Sequence, residues 1–134
     1  MENVTINHFA VIAAAFSMFV IGGLWYSPVL FGKMWLKAIG KDESFLQTGN
    51  KLKIFGGSFI LALISAYTLA GFVSGYEDWS WGLIGALLVG FGWLATAFGI
   101  VYLFERKSFV HFAVNAGYLI ISYIVMGLII GFWK

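Results

Sequence analysis

Charged residues are confined to a few short segments of the chain, and long apolar stretches separate them. The charges lie at positions 2, 33–53, 77–78, 105–107 and 134, which leaves apolar stretches at 3–32, 54–76, 79–104 and 108–133. Each stretch exceeds the roughly 20 residues that a helix needs to cross a hydrocarbon core ~30 Å thick. The stretches also lack the polar–apolar alternation of a barrel strand. We therefore predict an all-α membrane protein, a single integral membrane domain over 1–134, with transmembrane helices at about 6–26, 54–75, 80–104 and 109–132.

The composition excludes several other classes of protein. Apolar residues make up 61% of the chain and charged residues 10%, and the mean hydropathy is +0.92. An ordinary soluble domain has about 45–50% apolar and about 25% charged residues, and a disordered chain has the opposite balance from this one. A net charge of +2 is too small to indicate a nucleic-acid binder. Cysteine is absent, which excludes a disulfide framework and a thiolate metal site.

Basic residues accumulate in the first and third loops. These are Lys33, Lys37, Lys41, Lys51, Lys53, Arg106 and Lys107. The other face of the membrane has Lys134, beside Glu2, Glu77 and Asp78. Because basic loops stay in the cytoplasm, the loops 27–53 and 105–108 are predicted to be cytoplasmic, with both termini outside.

Aromatic residues mark both predicted boundaries of the membrane. Trp25, Tyr26, Trp35 and Tyr102 fall at the inner one, and Tyr76, Trp79, Trp81 and Trp133 at the outer one. Such belts are typical of membrane interfaces, so anchoring is the expected role of all eight. Trp93 differs because it lies near the middle of the third predicted span.

The loop 27–53 contains a further predicted helix. Pro28 ends the first span, since proline disfavours helical geometry in the residue before it. Residues 29–40 are mostly apolar, while Lys33, Lys37 and Lys41 recur every four residues on another face. This pattern predicts a short cytoplasmic helix at the membrane interface, with its lysines at the lipid headgroups. The helix either orients the protein or forms a specific lipid site.

Polar residues inside the predicted spans are few, and none is Asp, Glu, Lys or Arg. This argues against pumps and ion-coupled transporters, which normally need a charge within the membrane. On the fourth span, a polar stripe has the spacing i, i+4, i+7, i+11: His111, Asn115, Tyr118 and Ser122. A weaker stripe on the second span comprises Ser58, Ser65 and Thr68. The two stripes either bond to each other as packing or line a polar path or pocket, for which Trp93 is a further candidate.

The sequence offers no recognisable catalytic or cofactor site. His8 is predicted near the outer surface and His111 near the inner one, so the two cannot share a metal or haem iron, and no carboxylate or thiol accompanies either. The serines lack a G-x-S-x-G motif. We therefore expect no catalytic residues, no metal, no cofactor and no enzymatic activity.

Glycines recur at helical spacing in three spans. They are Gly85, Gly92 and Gly99 in the third span, Gly71 and Gly75 in the second, and Gly127 and Gly131 in the fourth. Small residues at such spacings form grooves in which helices pack closely. They provide enough small faces for contacts within and between subunits, so a homo-oligomer is expected.

Two sequence motifs resemble those of a known family. The first covers residues 22–35 and includes Gly22, Gly23, Trp25, Tyr26, Ser27, Pro28, Phe31, Gly32, Lys33 and Trp35; the second includes Asn115, Gly117 and Tyr118. Together they resemble the opening and closing signatures of the domain of unknown function 1761 family. The resemblance implies a small, mainly bacterial integral membrane protein of about four helices, and hence the bacterial inner membrane. It implies no activity.

Two functional hypotheses follow. The first is a homo-oligomer that binds or conducts a small solute or ion along the polar faces of the second and fourth spans. The alternative is a non-catalytic structural, accessory or lipid-sensing protein that acts through the basic interfacial helix. The expected partners are membrane lipids and further copies of the chain, and the sequence leaves open an unidentified membrane partner.

Overall fold

Four long helices and one short helix make up the fold. The computed structural model describes residues 5–134, so Glu2, assigned above to the outer face, lies outside the described residues. Within that range the chain forms no strand, and its α-helices are α1 (His8–Trp25), α2 (Gly32–Ala38), α3 (Leu52–Val73), α4 (Ser80–Glu105) and α5 (Phe109–Phe132). A 3₁₀ helix covers Glu43–Gln47 in the loop before α3, and α3 itself starts with a π-helical turn at Leu52–Gly56. The helices α1, α3, α4 and α5 are each long and apolar enough to cross a membrane. This confirms the predicted set of four long apolar helices.

Polar side chains fix where two of the long helices begin. The Asn7 side chain accepts hydrogen bonds from the backbone N–H groups of Phe9 and Ala10, at 3.0 and 3.2 Å. The Ser108 hydroxyl accepts one from the backbone N–H of His111 at 3.1 Å. Asn and Ser are favoured at this position because the first N–H groups of a helix have no partner within it.

The short helix α2 is shorter than the predicted range 29–40. Residues 27–31 form turns instead, in which the Phe31 N–H bonds the Trp25 carbonyl and the Gly32 N–H bonds the Ser27 carbonyl, both at 2.9 Å. These turns satisfy carbonyl groups left free at the end of α1. At its other end, α2 closes where the Lys41 N–H bonds the Leu36 carbonyl at 2.9 Å. Gly40 adopts a φ of +72° there, in the left-handed region that glycine commonly occupies just after a helix.

A wide π-helical turn interrupts α4 at Gly90–Ala95. Its i→i+5 hydrogen bonds change the angular register of the helix, so residues seven apart no longer share one face. Gly85 faces the Val73 side chain, whereas a side chain added at Gly92 would meet open space. The prediction of one continuous packing groove along Gly85, Gly92 and Gly99 is therefore wrong.

The closest helix contact joins α4 to α5. A methyl group added at Gly82 would collide with the Gly127 carbonyl, and one added at Gly131 would lie 2.6 Å from the Trp79 carbonyl. The groove predicted at Gly127 and Gly131 is confirmed by this contact. At Gly71, by contrast, an added side chain would meet open space, so no such groove forms at that position.

The core of the bundle is built mainly from small and medium apolar side chains. The helix α5 is central, since it packs against α1, α3 and α4. The buried core comprises Val11, Ala14, Ala15, Ala62, Ala66, Leu69, Ala70, Val73, Ala86, Tyr123, Met126 and Ile130. Alanine allows close approach of helices where apolar burial does not drive their association.

Consecutive long helices run in opposite directions, so the bundle has two distinct ends. At one end, Asn7 bonds the Trp133 carbonyl at 3.4 Å, and the Lys134 ammonium bonds the Val73 carbonyl at 3.4 Å. The other end holds α2, which packs against α5. We call this second end the α2 end. The loops 27–53 and 105–108 both lie there, which places the basic loops at the same end.

Candidate functional site at the α2 end

A single amide side chain joins three helices at the α2 end. The Tyr26 hydroxyl, just after α1, donates a 2.6 Å hydrogen bond to Asn115 Oδ1. Asn115 Nδ2 in turn donates a 2.9 Å hydrogen bond to the Tyr102 hydroxyl on α4. Both polar atoms of the amide are therefore engaged, and α1, α4 and α5 are linked through one residue. We call Tyr26, Asn115 and Tyr102 the amide network.

Two further bonds fasten α1 to α5 beside the amide network. The Trp25 indole N–H donates to the Val114 carbonyl at 2.8 Å, and the Tyr118 hydroxyl donates to the Met18 carbonyl at 3.2 Å. Hydrogen bonds between helices within a membrane contribute about 0.6 kcal/mol each on average. The bonds therefore position the rings, while their total contribution to stability stays modest.

Glycines of the two motifs provide the space that these rings occupy. A Cβ atom at Gly117 would lie 3.0 Å from the Trp25 ring, and one at Gly22 would lie 3.1 Å from the Tyr118 hydroxyl oxygen. A Cβ atom at Gly32 would collide with the Tyr26 carbonyl. Close packing thus requires glycine at position 32, whereas an added Cβ atom at Gly117 or Gly22 would push the neighbouring ring aside by a few tenths of an ångström. Nothing in the structure explains Gly23, where an added side chain would meet open space.

Aromatic contacts attach α2 to the amide network. The Tyr26 ring meets the rings of Trp35 and Tyr118 edge-on, with centroid distances of 5.1 and 5.4 Å. The Trp25 and Phe31 rings lie 4.6 Å apart. Tilted and edge-on arrangements are the favoured geometries of aromatic pairs. The position of α2 and the position of Tyr26 therefore depend on each other.

His111 is the buried polar residue beside the amide network. Its side chain is 7% exposed, and its ring centroid lies 4.9 Å from that of Tyr102. Within residues 5–134, its Nδ1 atom has no hydrogen-bond partner. Leaving a buried polar group unpaired costs about 1–3 kcal/mol. His111 thus has hydrogen-bonding capacity that the protein itself does not use.

Ser122 is a second buried polar residue, about three turns further along α5. Its side chain is 0% exposed, and its hydroxyl likewise has no hydrogen-bond partner among the described residues. Both ends of the predicted stripe are therefore buried and unpaired, whereas Asn115 and Tyr118 in its middle are bonded and half-buried.

The predicted polar residues of α3 do not join this cluster. Ser58 and Thr68 are exposed and Ser65 is half-buried, while the buried face of α3 consists of alanines and other apolar residues. The Thr68 hydroxyl donates to the Ile64 carbonyl of its own helix at 2.8 Å. The hydrogen bonds of Asn115 and Tyr118 go to α1 and α4 rather than to α3.

Trp93 also lies away from the cluster. Its side chain is 64% exposed on the outer surface of the bundle, and its ring meets that of Phe72 edge-on at 6.4 Å. The nearby surface of α4 carries a shallow groove that is entirely apolar. It is lined by Ile84, Leu87, Leu88, Phe91 and Gly92.

The three predicted headgroup lysines are exposed at the same end as the amide network. Lys33 and Lys37 lie one turn apart on α2, and Lys41 follows its closing turn. Pro28 and Ser27 lie in the turn before α2, where the Ser27 hydroxyl donates to the Leu24 carbonyl at 2.6 Å.

The histidines are separated by the length of the bundle. His8 begins α1 at the opposite end, where its Nδ1 lies 2.9 Å from the Tyr67 hydroxyl. Among residues 5–134, no three His, Asp or Glu side chains come close enough together to hold a metal ion.

Most of the side chains that bond at the α2 end belong to the two motifs singled out in the sequence, and Tyr102 is added to them from α4. A family model described as a protein of unknown function, DUF1761, matches residues 9–131. The chain belongs to the DUF1761 family. No curated protein and no solved structure matches the chain. In this DUF1761 protein, the opening and closing motifs form one structural unit, since Trp25 and Tyr26 bond residues 89 positions away.

Sequence reasoning did not find the partners of Asn115 in this DUF1761 protein. The sequence predicts Tyr26 and Tyr102 only as membrane-interface anchors, and the structure shows in addition that their hydroxyls bond the amide. One signal was available: both tyrosines and Asn115 are predicted close to the same membrane boundary. Depth along the helices indicates which residues could meet, but it does not indicate which faces turn towards one another.

Proposed function

We propose that this DUF1761 protein binds a small uncharged solute at His111, beside the amide network. The solute would carry a hydrogen-bonding group and would enter from the α2 end, which the distribution of basic residues predicts to be cytoplasmic. This retains the hypothesis of a solute site on the polar stripe and moves it to the interface of α1, α4 and α5. The substrate class is therefore a small neutral molecule with an amide, hydroxyl or similar group.

The unpaired Nδ1 atom of buried His111 is the observation that carries the proposal. A neutral imidazole can donate from one ring nitrogen and accept at the other, depending on its tautomer. A solute that bonds Nδ1 would remove the cost of an unpaired buried group, about 1–3 kcal/mol. That gain would contribute directly to the affinity for the solute.

The chemistry around His111 supports a neutral solute over an ion. The neighbouring side chains of the amide network are two phenols and one amide, and none carries a formal charge at neutral pH. An ion that leaves water for such a site loses its hydration without gaining a counter-charge. A neutral molecule loses much less hydration free energy when it enters the same site.

The packing of α4 against α5 supports binding over conduction. Near the opposite end, the backbones of these helices meet at Gly82 and Gly127, so closely that a methyl group would not fit. The polar side chains of α3 do not extend the stripe into a path, because Thr68 bonds its own helix. A solute at His111 would therefore bind and leave from the same end.

Thermal unfolding of the protein after removal of any bound solute tests this proposal. The purified protein is washed in detergent and heated with single members of a panel of small amides, ureas and alcohols. A bound solute raises the unfolding temperature as its concentration exceeds its dissociation constant. We expect stabilisation of the wild type and of the His8→Phe variant, and none of the His111→Phe variant. An equal response of His111→Phe and wild type would contradict the proposal.

A further inference from the structure

The helix α2 and the turn that closes it present three lysines. Lys33 and Lys37 are one turn apart within Gly32–Ala38, and both side chains are exposed. Lys41 is held in place because its backbone N–H bonds the Leu36 carbonyl in the turn that closes the helix. The Lys41 ammonium lies 5.8 Å from the centroid of the Phe45 ring. We call Lys33, Lys37 and Lys41 the lysine surface.

The opposite side of α2 is fixed to the bundle. Leu36 is buried, and the Trp35 ring packs edge-on against Tyr26 at 5.1 Å. Gly32 allows α2 to start in contact with the carbonyl of Tyr26. With this face held by the protein, the lysine surface cannot turn inward without breaking the contacts of Leu36 and Trp35. The lysines therefore stay on the outside of the molecule.

Exposed apolar side chains accompany the lysines. Val29 and Leu30 lie in the turn before α2, and Met34 lies within it; all three are exposed. A short helix with lysines beside exposed apolar residues, attached to four helices long enough to span a membrane, has the pattern of an element at the membrane interface. Its positive charge complements the negative surface of a leaflet that contains anionic lipid.

We propose that the lysine surface binds the headgroups of anionic phospholipids in the leaflet at the α2 end. The ammonium groups would pair with the lipid phosphates, and Val29, Leu30 and Met34 would enter the region between the headgroups and the acyl chains. Each lysine near an anionic membrane surface increases binding about fivefold, so the three together give about a hundredfold. Solute binding at His111 is not required for this interaction.

Quenching of tryptophan fluorescence tests this interaction, because Trp35 lies on α2 and Trp25 lies at the same end. The difference between the wild type and the lysine variants separates this end from the other four tryptophans of the chain. The full chain is reconstituted in phosphatidylcholine vesicles that contain a small fraction of brominated phosphatidylglycerol, or of brominated phosphatidylcholine as the neutral reference. We expect the wild type to be quenched preferentially by the anionic lipid. The preference should fall towards the neutral reference at high salt, since salt screens exposed charges.

Matched variants separate a local site from a general charge effect. Changing Lys33, Lys37 and Lys41 together to Gln should abolish the preference, and changing the same three to Arg should keep it. The control changes three other exposed lysines, Lys51, Lys53 and Lys107, to Gln. We expect the control to retain most of the preference. Equal losses in both Gln variants would overturn the proposal.

Competition with inorganic phosphate shows whether the lysine surface binds a lipid headgroup or a free anion. With a lipid docking surface, millimolar phosphate should leave the quenching by phosphatidylglycerol almost unchanged. Complete displacement by phosphate would mean that a free anion is the ligand, and would overturn the assignment to lipid. The Arg variant also shows whether a lost preference reflects lost charge, because it keeps the charge at the same three positions.

Discussion

The Tyr26 hydroxyl bonds the Asn115 side-chain oxygen at 2.6 Å, across 89 positions of the chain. The same amide bonds Tyr102 on α4, so one residue of α5 holds the ends of two other helices. This contact brings the two motifs singled out in the sequence, residues 22–35 and Asn115 with its neighbours, into a single cluster. It also places the half-buried amide beside His111, whose ring contacts Tyr102.

Replacing Asn115 by Leu should destabilise the bundle modestly. The variant loses two hydrogen bonds between helices, each contributing about 0.6 kcal/mol, so we expect a loss of about 1 kcal/mol in the free energy of unfolding. Unfolding in mixed detergent micelles measures this loss of free energy. In a double-mutant cycle with Tyr26→Phe, the coupling energy should be about 0.6 kcal/mol.

Thr68→Val is the control for that cycle. The Thr68 hydroxyl bonds only its own helix and lies on the outer surface of the bundle. We expect no coupling between Thr68→Val and Asn115→Leu. A coupling as large as that with Tyr26→Phe would mean that the cycle reports something other than the amide network.

His111→Phe should stabilise the emptied protein while it removes binding. Phenylalanine keeps a ring against Tyr102 and removes the unpaired Nδ1, whose burial costs about 1–3 kcal/mol. We therefore expect the free energy of unfolding to rise by about 1 kcal/mol or more. A clear loss of stability would instead show that the imidazole already makes a bond that the protein needs.

Gly82→Ala should be among the most damaging single changes in α4. The added methyl group collides with the Gly127 carbonyl, and overpacking of this kind typically costs about 1–3 kcal/mol. Gly92→Ala is the matched control, because the same methyl group meets open space on the same helix. We expect its stability to be unchanged or slightly raised, since alanine favours helix over glycine. Equal effects of the two changes would refute the close α4–α5 contact.

Gly117→Ala should disturb the Trp25 ring, because the new Cβ atom would lie 3.0 Å from it. The ring must shift, which weakens its bond to the Val114 carbonyl. We expect a changed tryptophan emission spectrum and a small loss of stability. Gly23→Ala lies in the same motif as Trp25 and meets open space, so its spectrum should match that of the wild type.

The sequence was sufficient to predict the four long helices and the polar stripe of α5. Uninterrupted apolar stretches define the helices because charges are costly in a membrane. The i, i+4, i+7 spacing of His111, Asn115 and Tyr118 defines a face without any knowledge of its neighbours. The DUF1761 resemblance, carried by residues 22–35 and by Asn115 and its neighbours, was confirmed over residues 9–131.

The rotation of each helix about its axis could not be predicted in the same way. Thr68 can bond a carbonyl of its own helix, so a hydroxyl in an apolar span does not have to face a neighbour. The π-helical turn at Gly90–Ala95 alters the register of α4 without an obvious signal in the sequence. The first effect explains why the α3 and α5 polar stripes do not bond each other, and the second explains why Gly85, Gly92 and Gly99 do not share one face.

Native mass spectrometry of the protein released from nanodiscs tests the central claim most directly. The wild type and the His8→Phe variant should retain a small non-lipid mass, and the His111→Phe variant should not. The spectra also count the copies in the complex and identify the chemical class of the retained molecule. A wild type that carries phospholipid alone, or a His111→Phe variant that retains the same small mass, would contradict solute binding at His111.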